Sequence, residues 1–347
     1  MFIPTTYMGA LLLAMLAMIC WGSWANTTKL AGKWRFELFY FDYAIGLLLC
    51  AIAIAFTFGT LGSDITFMDN MSIVRRRQQG LAMAAGGVFN LANMLLVGAI
   101  SVAGMAVAFP IGIGLALVIG VAWSYLLNAQ GNPSLLFGGA GVIVLAILTT
   151  ARAYQIVQSA KATPSVSDKS GRMRAQPRPS ATKGIALSLV SGLLMGSFFP
   201  LVQMARRDEI EMGPYSIAFC FALAVFLTTP LYSLYFMNLP VQGQPVKLKR
   251  YFEGSWKQHA WGVVGGAIWC IGGVATFVAA ATPKEVQVGP ATSYALGQGA
   301  TLVSTLWGLL YWKEFAGAPP KAKTYVYTAL VLYVAGLAMV SMAPLFA

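Results

Sequence analysis

Apolar stretches separated by short polar segments set the rhythm of this chain. Ten of them cover residues 7–28, 40–61, 80–100, 102–127, 135–154, 184–205, 215–237, 260–281, 286–311 and 325–345. Each is close to or above the roughly 20 residues a helix needs to cross a bilayer. The third and fourth almost touch near Ser101. The pattern predicts an all-α integral membrane protein with ten transmembrane helices.

One polar segment is unlike the others. Residues 155–182 are rich in Ser, Pro, Lys and Arg and have no apolar periodicity, so they read as a flexible cytoplasmic linker. Gly171 is followed by Arg172, and no GxxxxGK phosphate loop occurs there. The linker separates two five-span halves, residues 1–154 and 183–347. The halves echo each other: ICWGSWANTTKL at 19–30 against LLMGSFFPLVQM at 193–204, and GLAMAAGGVFN against GVVGGAIWCIGG. Five is odd, so successive copies must insert with opposite orientation. That is the signature of two inverted five-helix repeats, an architecture of secondary transporters.

Composition sharpens this picture. The chain is 58% hydrophobic and 10% charged, with mean hydropathy +0.70. Too few charges remain to cover a water-facing surface. The net charge of +12 would suggest nucleic acid in a soluble protein, but here it is a matter of topology. With the N-terminus outside, only Arg75, Arg76, Arg77, Arg206, Arg207 and Lys284 fall on the outer side. Every other Lys and Arg falls inside, as the positive-inside rule requires. Both termini are thus expected outside a bacterial inner membrane, with Arg75–Arg77 as the discordant cluster. Cys20, Cys50, Cys220, Cys270 and the single histidine, His259, have no metal-ligand spacing. No cofactor or metal is expected.

Helical periodicity then selects polar faces. Tyr294, Gln298, Thr301 and Thr305 share one, beside a small-residue face of Ser293, Gly297, Ala300 and Ser304. Gly262, Gly265, Trp269, Gly272 and Thr276 form another, as do Gly86, Asn90 and Asn93; Gly196, Pro200 and Gln203; and Trp21, Trp24 and Thr28. The small-residue stripes also suit plain helix packing. The amides and indoles are harder to assign to packing, because an unpaired amide in hydrocarbon costs several kcal/mol, so Asn90, Asn93, Gln203 and Gln298 need a partner or a wet cavity. Trp21, Trp24, Asn90, Asn93, Gln203, Trp269, Tyr294, Gln298 and Thr301 are therefore the expected lining of a wet cavity between the first, third, sixth, eighth and ninth helices. Pro110, Pro200 and Pro290 lie where a spanning helix could kink or break.

No Asp, Glu, Lys or Arg lies near the centre of an apolar stretch. A neutral solute follows, since buried charge marks ion paths and charged substrates. The carboxylates Glu37, Asp42, Glu285 and Glu314 sit at helix ends. KWRFELFYFDY, residues 33–43, gathers charge and rings as an interfacial anchor does. Asp42 either caps the second helix or, with Glu37, is a candidate for ion coupling. His259, at a helix start beside Lys257, reads as an interfacial residue.

Several of these motifs resemble the ureide permease branch of the drug/metabolite transporter superfamily. They are WGSW at 21–24, FDY at 41–43, AMAAGGVFNLAN at 82–93, SGLLMGSFFP at 191–200 and LVSTLWGLLYWKE at 302–314. The bacterial glucose and rhamnose permeases are more distant relatives with the same ten-helix plan. The resemblance implies import of a small neutral metabolite, a ureide, nucleobase or sugar, commonly with a proton. Plant members carry a nucleotide-loop-like motif in the linker, and this chain departs from that. The expected partners are a small neutral solute, a proton or other coupling ion, and membrane lipid. An exporter of drugs is the alternative within the class. An enzyme would need paired carboxylates, metal ligands or a nucleophile with its base, and no such constellation occurs.

Overall fold

Hydrocarbon supplies no partner for backbone N–H and C=O groups, so stretches this apolar must pair them internally. A computed structural model describes residues 1–62, 65–103, 105–161, 181–241, 244–283 and 288–346, and among them there are helices and connections but no strand. Fourteen α-helices follow in order. They are α1 (Tyr7–Ser23), α2 (Asn26–Leu30), α3 (Phe36–Phe56), α4 (Phe67–Ile73), α5 (Arg76–Ala103), α6 (Met105–Leu127), α7 (Pro133–Lys161), α8 (Ala181–Arg206), α9 (Pro214–Asn238), α10 (Lys249–Phe252), α11 (Trp256–Ala279), α12 (Pro290–Gln298), α13 (Ala300–Leu306) and α14 (Pro320–Met342).

Eight helical stretches among the described residues are long and apolar enough to cross a membrane. They correspond to eight of the ten expected spans. The fourth expected span is α6, whose described apolar part, Ile111–Leu127, is shorter. The ninth is interrupted. α12 stops at Gln298, α13 restarts at Ala300 after Gly299, and a π-helical turn, Trp307–Tyr311, ends the stretch. Pro290 opens α12, and Pro200 sits inside a continuous α8. Leu49, Leu126, Leu231 and Val331 point outward as a lipid-facing surface would.

Two helices reach into the expected linker: α7 continues to Lys161 and α8 begins at Ala181. Lys169, Arg172, Arg174 and Arg178 lie outside the described residues, as do Lys284 and Glu285.

The two ends of the bundle differ. Met1 bonds to Ile65, Tyr7 to Ser341, and Asn132 to Ala343, which gathers both termini at one end. Arg206, at the C-terminus of α8, lies at this end with Met1. Lys29, Tyr154 and Glu314 meet at the opposite, linker end. Between the ends, α8 packs on α5 and α6, α11 on α1 and α3, α9 on α3 and α5, and α14 on α7. Each of these contacts joins one half of the sequence to the other.

Glycine sets how closely α3 and α11 cross. A Cβ on Gly266 would collide with the carbonyl oxygen of Tyr43, and one on Gly46 with that of Val263. Glycine costs a helix about 1 kcal/mol relative to alanine, and close packing of two membrane helices is what it gives in return. Gly266→Val is therefore expected to abolish the folded, monodisperse species in size-exclusion chromatography of the detergent-solubilised protein. Gly80, with open space around it, is the control. Gly80→Ala should leave the profile unchanged and stabilise by at most about 1 kcal/mol.

Candidate functional site: a central cavity

At the level of Trp21 the chain leaves a cavity of about 130 Å³. α1 supplies Trp21 and Trp24, which stand on one face because they are three residues apart. α5 supplies Phe89, Asn93 and Leu96, and α11 supplies Trp269. Gln298 and Thr301 approach from either side of the break at Gly299. A second chamber of about 290 Å³ shares Trp24, Asn93, Thr301 and Ser304 with it and reaches Thr28 and Tyr154 at the linker end. No charged residue lines either chamber among the described residues.

The other end is shut by rings. Trp269 stacks on Trp21 at 5.6 Å and on Phe221 at 5.4 Å, and Phe89 lies 4.2 Å from it. The Trp21 indole Nε1 donates to the Trp269 carbonyl at 3.3 Å, which fixes the pair edge as well as face. Behind them Tyr294 stacks on Phe199 at 5.2 Å. The cavity is thus closed toward the termini and continues toward the linker end.

Polar capacity in the wall is small and specific. Asn93 Nδ2 is buried without a partner, and so is the Tyr40 hydroxyl in the second chamber. These groups can hydrogen-bond to a neutral solute, and the indoles can stack on a flat one. No described residue of the wall would compensate a net charge.

A family model described as Ureide permease matches residues 39–178 and 179–343. The chain belongs to the ureide permease family. It is a multi-pass membrane transporter and not an enzyme. Ureide permease 2 of Arabidopsis thaliana is 24% identical over 95% of this chain and 96% of its own length. Ureide permease 4 of the same plant is 25% identical over 98% of both. Probable ureide permease A3 of Vigna unguiculata is 23% identical over 92% of this chain and 98% of its own. A solved crystal structure is similar over 95% of both chains with a TM-score of 0.54 and 19% identity, which speaks to the fold alone.

In this family member, six of the nine residues expected in the cavity line it: Trp21, Trp24, Asn93, Trp269, Gln298 and Thr301. Three are placed elsewhere. Asn90 is fully buried and donates to the Val225 carbonyl and to the Thr228 and Thr229 hydroxyls, at 3.0–3.2 Å, so it joins α5 to α9. Tyr294 lies behind the ring wall, its hydroxyl donating to the carbonyls of Ala116 (3.2 Å) and Met195 (3.4 Å). Gln203 lines a separate pocket at the termini end. The stripe Gly86–Asn90–Asn93 straddles two surfaces, and the cavity takes Phe89, Asn93 and Leu96 instead, spaced four and three residues apart. Phe89 and Phe198 carried no signal of their own among so many apolar neighbours.

The ionisable residues also find unexpected places. Asp42 does not cap the second spanning helix, because α3 begins at Phe36, nearly two turns earlier, with Arg35 in the capping position. The Asp42 carboxylate, 3% exposed, accepts from the Tyr251 hydroxyl at 2.6 Å. His259 Nδ1 lies 2.9 Å and 3.0 Å from its two oxygens. His259 is placed by a capping box at the start of α11, in which Ser255 and Gln258 bond reciprocally. Burial, then the hydrogen bond to Asp42 and its charge, push the Tyr251 phenol above its ordinary range. Glu37 is 1% exposed and pairs with Arg35. Glu314 accepts from Lys29 at 2.5 Å and from Tyr154 at 2.7 Å, at the linker end of the second chamber.

The two asparagines of α5 should therefore behave differently. Asn90→Ala strands buried partners on α9, at about 1–3 kcal/mol, and should lower the melting temperature of the purified protein. Asn93→Ala should leave it unchanged within error. A fall for Asn93 alone would reverse the assignment.

Proposed function

We propose that this chain imports a small neutral polar solute, a ureide or a related nucleobase or sugar, by alternating access of two oppositely inserted five-span halves. The observation that carries this reading is the central cavity, an uncharged chamber walled by indoles with an unpaired amide. Its chemistry fits a flat molecule rich in N–H and C=O, as the ureides named for the plant relatives are.

The packing supports two related halves. Number the spans α1, α3, α5, α6, α7 in the first half and α8, α9, α11, α12–α13, α14 in the second. The contact of the third span with the sixth then has its mate in the eighth with the first. The fourth with the sixth is matched by the ninth with the first, and the second with the eighth by the seventh with the third. A two-fold exchange of halves produces this pattern. Both termini lie at the end opposite the linker, as an even number of spans requires; with the linker in the cytoplasm they lie outside. The broken ninth span, placing the ends of two half-helices beside the cavity, is a recurrent device of secondary transporters.

Coupling to a proton is part of the proposal, with Asp42 as the group that takes it. Asp42 is buried against α10 and α11, faced by Tyr251 and His259, while Glu37 is committed to Arg35.

The test is uptake into proteoliposomes of labelled allantoin, uracil, glucose and rhamnose. Asn93→Ala and Gln298→Ala should each lower transport of the accepted solute by about tenfold or more, the equivalent of one buried hydrogen bond. Uptake equal to the parent would remove the cavity from the pathway. Asp42→Asn should abolish accumulation driven by a proton gradient and spare solute counterflow. Equal loss of both, with normal expression, would take Asp42 out of coupling.

A further inference from the structure

Gln203, like Asn90, does not reach the central cavity. It lines a pocket of about 300 Å³ at the termini end, with Gln130, Arg206 and Glu211. This pocket and the central cavity have no lining residue in common. Successive turns of α12 connect the two. Pro290 lines the pocket, Tyr294 stands in the ring wall, and Gln298 lines the cavity.

The polar groups of the pocket are incompletely paired. Gln203 is 6% exposed, and neither its Nε2 nor its Oε1 has a partner. Gln130 Oε1 is also buried and unpaired. Arg206 donates from one terminal nitrogen to the Ala280 carbonyl at 2.6 Å and from the other to Glu211 at 2.9 Å, and its Nε is left buried without a partner. A buried unpaired amide in a pocket wall is costly unless something bonds to its N–H and C=O groups. The N-terminus of α12, with Pro290 in the wall, adds a positive backbone end.

The lining holds two arginines and two carboxylates, so its formal charge sums to zero. Arg206 pairs with Glu211 at 2.9 Å, Asp208 pairs with Arg75 at 3.1 Å, and Arg207 donates to the Leu127 carbonyl. What remains unpaired is the amide NH2 of Gln203, the Nε–H of the Arg206 guanidinium, whose terminal nitrogens are already bonded, and two carbonyl acceptors, on Gln203 and Gln130. The complement is a group with a carbonyl oxygen next to N–H, a carboxamide or a ureido group. We propose that this pocket is a second solute site, which holds the ureido or carboxamide group of a molecule at the termini end while the central cavity is open toward the linker. The inference rests on the transport reading above and adds a site to it.

Equilibrium binding of labelled allantoin to the full-length protein in lipid nanodiscs tests it. The parent should bind two molecules per chain. Gln203→Leu should bind one, with the remaining affinity changed less than twofold. Gln130→Leu, in the connection after α6, should do the same, and it guards against a folding defect in the first variant; thermal melts check both. Gln298→Ala should lose the other molecule and keep the one that depends on Gln203. The pocket is excluded if both glutamine variants, folded, still bind two, or if the parent binds one molecule that only Gln298→Ala removes; the second outcome leaves the transport reading standing. A single molecule lost only in Gln203→Leu and Gln130→Leu would keep this site and remove the central one. No binding of allantoin, uracil, glucose or rhamnose to the parent would end both.

Discussion

Hydrocarbon offers a polar group nothing to bond with, and that constraint decides where each polar side chain of this protein can sit. Asn90 spends its amide hydrogens on α9, and Tyr294 gives its hydroxyl to the carbonyls of α6 and α8. Asp42 is enclosed by Tyr251 and His259. Some polar groups left over lie against space. Asn93, Gln203 and Gln130 carry buried unpaired atoms, and each lines a pocket.

The two ends of the cavity are unlike. Toward the termini it meets Trp21, Trp269, Phe221 and Phe89 in close ring contact. Toward the linker it runs past Asn93 and Thr301 to a polar cluster of Lys29, Glu314 and Tyr154. Stacked rings are each worth about 0.5–1.5 kcal/mol beyond the area they bury.

Much of this was legible in the sequence. Apolar length alone located the eight helices long enough to cross, because a bilayer imposes one dimension on every crossing helix. Periodicity found the cavity residues wherever one face of a helix had one neighbour, as for Trp21 and Trp24 on α1 or Gln298 and Thr301 in the ninth span. It failed where a face is shared. Asn90 and Asn93 are three residues apart, and the boundary between helix packing and cavity runs between them. Gln203 was misplaced for a different reason: periodicity gives the face of a helix but not the depth, and Gln203 stands one turn beyond the ring wall. The partners of Asp42 were out of reach, since His259 is 217 residues away and only the crossing of α3 and α11 brings them together. The interruption at Gly299 was hidden because one glycine among many small residues carries no distinct pattern.

The glycine crossings restrict how such a bundle can move. Gly46 and Gly266 bring α3 and α11 to backbone contact, and Gly86 does the same for α5 against α9. Backbones so close cannot slide past one another without a carbonyl meeting the next side chain. Each pair is in effect a welded girder. Any rearrangement that opened the termini end would have to carry these girders as blocks and take up its strain at softer joints, and the broken ninth span, between Gly299 and the π turn at Trp307–Tyr311, is such a joint.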